Sequence, residues 1–130
     1  MENMFLEYQS KYAFDETIEI LAETISNSSW KISIIHDLQQ TLKNNSIDVL
    51  PLKVIELCNP KHSSQILKES ELRVYSTMMP CRISVYEKAD GKTYISTINS
   101  GLMSEQVGGL VQQVMTAAFN DAKHFISVVI

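Results

Sequence analysis

The stretch CRISVYEKADGKTYIS, residues 81–96, constrains this chain more than any other. Cys81, Ile83 and Val85 alternate with Arg82, Ser84 and Tyr86, the period of a strand with one buried face. Asp90-Gly91 supplies the residues of a tight hairpin turn, and KTYISTIN returns as the next strand. A lone hairpin is marginal in water, so further strands or a helix layer must cover its apolar face.

The rest of the chain offers that layer. Residues 4–13 are β-prone and form a first strand. Asp15 then reads as an N-cap, and Ile18, Leu21, Ala22 and Ile25 recur at helical spacing with Glu16, Glu19 and Glu23 outside. SNSS ends that helix. WKISIIH is a second strand, and Asp37 caps a short helix carrying Leu38 and Leu42. DVLPLKVIELC is a third strand, with Pro51 placing part of it at an edge or bulge. Asn59 and Pro60 open another short helix. Residues 104–124 form the longest helix, striped by Val107, Leu110, Val111, Val114, Met115, Ala118 and Phe119. Gly108 and Gly109 weaken its start and allow close contact with the sheet. The order β-α-β-(short α)-β-(short α)-β-β-α predicts an α+β two-layer sandwich, with a mostly antiparallel sheet and two long helices on one face.

The 130 residues suit one domain, 1–130, and no repeat or linker divides them. A formal net charge of -4 disfavours a nucleic-acid surface. No apolar run reaches membrane-span length, and MENMFLEYQS shows no signal-peptide pattern, so the expectation is a cytoplasmic chain with no membrane or nucleic-acid partner. Apolar residues occupy both alternating sets of the third strand, Leu52 and Val54 against Ile55 and Leu57. One set would stay uncovered in a monomer, which predicts a homodimer.

HDL at 36–38, VIELCNP at 54–60 and MPCRISVYEKADGKTYI at 79–95, preceded by FDETIEILAE, resemble the family called domain of unknown function 302. The resemblance covers residues 10–128. It implies a β-α-β(4)-α fold of the TATA-box-binding-protein-like type, in a small bacterial or archaeal protein, and carries no activity with it.

The candidate site follows from the third and fourth strands. Cys58 ends one and Cys81 begins the other, so antiparallel pairing brings both thiols to one sheet rim, reduced and largely buried. Glu56 shares the Cys58 face by strand period, and Arg82 is its candidate partner. His36 is a candidate ligand or base, although a simple meander places it far from Cys58. Three readings compete: core thiols of a dimeric scaffold, a thiol-dependent redox site, and a small-ligand or soft-metal site with Cys58, Cys81 and Met79 as ligands. A soft metal ion is the cofactor that last set would take. His62 follows Cys58 closely without belonging to the matching motif. No P-loop, GxGxxG, HExxH or GxSxG motif is present.

Overall fold

The computed structural model describes residues 3–130. Five strands form one sheet in the order β1-β5-β4-β3-β2: β1 Phe5–Gln9, β2 Lys31–Asp37, β3 Leu52–Cys58, β4 Cys81–Glu87 and β5 Thr93–Ile98. Every pairing is antiparallel. The predicted hairpin is β4–β5, with Gly91 at φ +79° in its turn, a conformation that favours glycine. A bulge between Ile32 and Ile34 interrupts the β2 edge. Pro51 lies just outside β3, so its missing donor costs the ladder nothing.

Two long helices, α1 (Phe14–Ser26) and α5 (Gly109–Ser127), cover one sheet face. The main core joins Leu21 and Ile25 of α1 and Ala122 and Ile126 of α5 to Ile55, Ile83, Val85 and Ile95 of the strands. The α+β sandwich read from the sequence is therefore the observed architecture. Short helices α2 (Leu38–Lys43), α3 (Pro60–Leu67) and α4 (Ser100–Met103) fill the connections, and a 3-10 segment spans Ser70–Met78. Asp37 and Asn59 cap α2 and α3 through their side chains, accepting from the Gln40 and Lys61 amides at 3.0 Å each. No helix is long and apolar enough to cross a membrane among the described residues.

Three local expectations are corrected. Ala13, without a side-chain hydrogen bond, caps α1, and Asp15 lies inside its first turn, where a carboxylate still suits the dipole. The last helix begins at Gly109 and not at 104, because Gly108 (φ +68°) and Gly109 (φ +56°) take left-handed conformations that turn the chain. A Cβ at either position meets nothing within 4 Å, so these glycines serve the turn and not close packing. The tight approach occurs at Gly101, where a Cβ would lie 3.2 Å from Thr116 Oγ1.

A smaller hydrophobic cluster sits beyond the sheet rim. Ile66 of α3 packs with Val111, Val114 and Met115 of α5, flanked by Leu72, Tyr75, Met78 and Met79. The 3-10 segment and the Met79–Pro80 peptide, which is cis, carry the chain from this cluster into β4.

Candidate functional site

The residues singled out in the sequence fall into two groups. At the rim, β3 and β4 are antiparallel neighbours, and Leu57, not Cys58, lies opposite Cys81. Both cysteines are free and partly buried at the strand ends. They nevertheless line one cavity of about 30 Å³, with Trp30, His62, Met79 and Met115 among its walls. Trp30 and Leu57 belong to the main core, while Val114, Met115 and Met79 belong to the smaller cluster, so this cavity lies at the seam between the two. Cys58 Sγ contacts Ser63 Oγ at 3.7 Å. Burial pushes the Cys81 thiol up to about 11, and the nearby Cys58 and Asp121 add to the shift.

One carboxylate oxygen ties the rim together. Asp121 Oδ2 on α5 accepts from Trp30 Nε1 at 2.9 Å and from His62 Nε2 at 3.1 Å. The indole and imidazole rings lie 5.6 Å apart. The sequence alone leaves His62 outside the site and does not reach Trp30 or Asp121. The CNPKH spacing was the available signal for His62: the first turn of α3 returns it to the rim. Nothing in the sequence pairs Asp121 with residues 91 and 59 positions away.

A second cleft, about 170 Å³, opens on the other side of Met79, Pro80 and Cys81 and runs to Met103, Phe119 and Ala122. Its hydroxyls are spent on backbone carbonyls: Thr77 on Val74 at 3.2 Å, Thr97 on Arg82 at 2.9 Å, and Ser100 on Met115 at 3.1 Å. The walls left to a ligand are therefore mainly apolar.

The second group lies on the sheet face away from α1 and α5. Arg82 pairs with Glu56 in register, and Glu56 Oε1 receives Arg82 Nε at 3.3 Å and His36 Nε2 at 3.0 Å. Glu56 is only 16% exposed, against 63% for Arg82, so the carboxylate is the covered centre of this group. Glu56 does not join the thiols: neither it nor His36 lines the rim cavity. Leu52 and Val54 do face away from the helices, but Arg82, Ser84 and Ser96 break up that face. A further polar knot there joins Tyr86 and Lys88 to Glu7, which holds the Glu7 carboxyl below its ordinary range.

Among the described residues, no three His, Cys, Asp or Glu side chains gather closely enough to hold a metal ion. The soft donors in the wall of the rim cavity are the two thiols and the Met79 and Met115 thioethers.

No curated protein matches the chain. Among solved structures, it is similar to an uncharacterized conserved protein DUF302 from Bacillus stearothermophilus, with a TM-score of 0.85 at 17% identity over 97% of this chain and 98% of that one. At that identity the likeness shows the fold alone. The family model described as domain of unknown function DUF302 matches residues 6–126, and the chain belongs to that family.

Proposed function

We propose that this protein is a small-ligand binding module without turnover, with its site at the sheet rim around Met79, Pro80 and Cys81. The observation that carries this reading is that two cavities, one of about 30 Å³ and one of about 170 Å³, share that short wall. A mainly apolar cleft of the larger size has room for a benzene-sized molecule. The Cys81 thiol, held protonated by burial, supports binding over thiol-dependent redox chemistry, which needs an activated thiolate. The test is a titration with benzene, followed by methionine methyl NMR. Saturable shifts at Met79 and Met103, which line the larger cleft, are expected. Benzene without effect on those methyls, together with alkylation of either thiol that is fast below pH 8, would instead favour the redox alternative.

The open sheet face supports a second reading, a homodimeric interaction protein. Phe5 is 64% exposed there, beside Ile98 and Glu7. Such a dimer would set apolar corners around a polar centre. Light scattering at micromolar concentration checks it: a mass of twice the chain is expected, and a mass that drops to one chain with Phe5→Glu would place the contact on this face. A monomer throughout removes the reading.

A further inference from the structure

We propose that the rim cavity takes one soft monovalent cation of the Cu(I) class, held by the Cys58 and Cys81 sulfurs with the Met79 thioether as third donor. This rests on the reading of the rim as a binding site and names the ligand of its smaller cavity. These three residues line that one space, with Met115 as a fourth sulfur residue in its wall, and about 30 Å³ suits a single water-sized or ionic occupant. Its side-chain oxygens are already committed. Asn59 Oδ1 accepts from the Lys61 amide at 3.0 Å and its Nδ2 donates to Ser29 Oγ at 3.3 Å. Ser63 Oγ donates to the Asn59 carbonyl at 3.3 Å, and His62 Nε2 is held by Asp121 at 3.1 Å. A hard cation would find no free oxygen set, which disfavours Ca²⁺ and Mg²⁺. Zn²⁺ would fall short of its usual four N and S ligands, because no three His, Cys, Asp or Glu side chains gather there among the described residues. Thiolates and a thioether in an apolar pocket select a soft, low-coordinate ion.

The step balances simply. Each thiol gives its proton to solvent, both sulfurs bond to the incoming cation, and no electron is transferred. The site joins β3 to β4 and the main core to the smaller cluster, so occupancy should stiffen the seam.

The experiment is an anaerobic titration of the whole reduced protein with Cu(I), in competition with a chromophoric chelator. Released protons are counted by a pH indicator, and Trp30, the only tryptophan, is read by fluorescence. One equivalent bound, two protons released and a changed Trp30 signal are expected. Cys58→Ser and Cys81→Ser should each lose stoichiometric binding, and Met79→Leu should shift the competition toward the chelator. Binding that survives the double serine variant, or the absence of binding by wild-type protein, overturns the proposal. Circular dichroism establishes that each variant is folded. Should a serine variant unfold, Met79→Leu and the proton count decide. If benzene still shifts Met79 and Met103 while Cu(I) does not bind, the cation proposal alone falls. If neither binds, the binding-module reading falls with it.

Discussion

The main core and the smaller cluster beyond the rim share one helix, α5, yet they are built differently. In the main core, alternating strand residues such as Ile83 and Val85 meet helical stripes from α1 and α5, and every apolar side chain has a layer above it. The smaller cluster has no sheet beneath it. It depends on Ile66 and on the flanking Leu72, Tyr75, Met78 and Met79, which come from a short helix and a 3-10 segment with poorer hydrogen-bond geometry. The difference teaches where a cavity survives: both the 30 Å³ cavity and the 170 Å³ cleft open where the ordered layer ends and the irregular one begins.

The most direct way to break this comparison is to delete equivalent volume on each side. Ile83→Ala, at a fully buried position, should cost about 2–5 kcal/mol of global stability, read by urea unfolding. Ile66 is as deeply buried. Ile66→Ala should instead speed amide exchange across residues 60–79 first, leaving the slowest β4 amides protected. Equal loss of protection in β4 for both variants would show that the two clusters unfold as one unit.

A smaller effect sharpens the seam itself. The Cys81 thiol titrates at about 11 in the folded protein against 9.0 for an ordinary cysteine here, because burial favours the neutral form. The folded state therefore holds this proton more tightly than the unfolded state. The associated stability is complete below pH 9 and is lost as pH rises through 11. The loss should reach about 2 kcal/mol, allowing for partial exposure. Denaturant unfolding of wild type and Cys81→Ala across that range measures it. The variant should show a shallower alkaline decline, since Tyr86 and Tyr94 titrate in both proteins. Parallel declines would mean the thiol is not buried as described.

Next in size is the tie across the seam. Asp121→Ala removes the acceptor of Trp30 Nε1, and Trp30 is only 3% exposed. An indole N–H left without a partner costs about 1–3 kcal/mol, and water reaching the half-exposed Asp121 position should keep the loss near the lower end. Trp30 emission should shift to the red. An unchanged midpoint and spectrum would show that the hydrogen bond contributes nothing to the seam.

Legibility in the sequence follows the same division. The β4–β5 hairpin, the stripes of α1 and α5, and the Asp37 and Asn59 caps were readable because period, turn residues and cap residues act locally. The 3-10 segment at 70–78 was not readable, since its nine residues have no sustained apolar period. The α5 start was missed because an apolar residue, Val107, continues the stripe across two glycines whose left-handed conformation only the fold reveals. At the site, the neighbouring strands of Cys58 and Cys81 followed from chain order. Their one-residue register offset did not, because loop length does not fix register when the connection is 22 residues of helix and turn. Asp121 was out of reach for another reason: side-chain contacts between distant elements leave no periodic trace.

The smallest expected effect lies on the open face, away from either cluster, and it limits the comparison from outside. Glu7 receives Lys88 Nζ at 2.7 Å and the Tyr86 hydroxyl, and both hold its carboxyl below the ordinary value. A lowered folded value means that stability is present above the unfolded carboxylate range and is lost as pH falls through the folded one. Lys88 and Glu7 are 43% and 40% exposed, so solvent and salt screen the pair. Its contribution should stay within about 1 kcal/mol and shrink as salt is added. Glu7→Gln therefore should flatten the acid side of the stability profile slightly at low ionic strength, and because Glu7 helps to raise Tyr86 it should alter the tyrosine part of the alkaline decline while leaving the Cys81-dependent part, the difference from Cys81→Ala, unchanged. If Glu7→Gln altered the Cys81-dependent decline, the open face and the rim would be energetically coupled. An equal Cys81-dependent difference in the wild-type and Glu7→Gln backgrounds would mark the sheet as the boundary between a screened outer network and the buried seam.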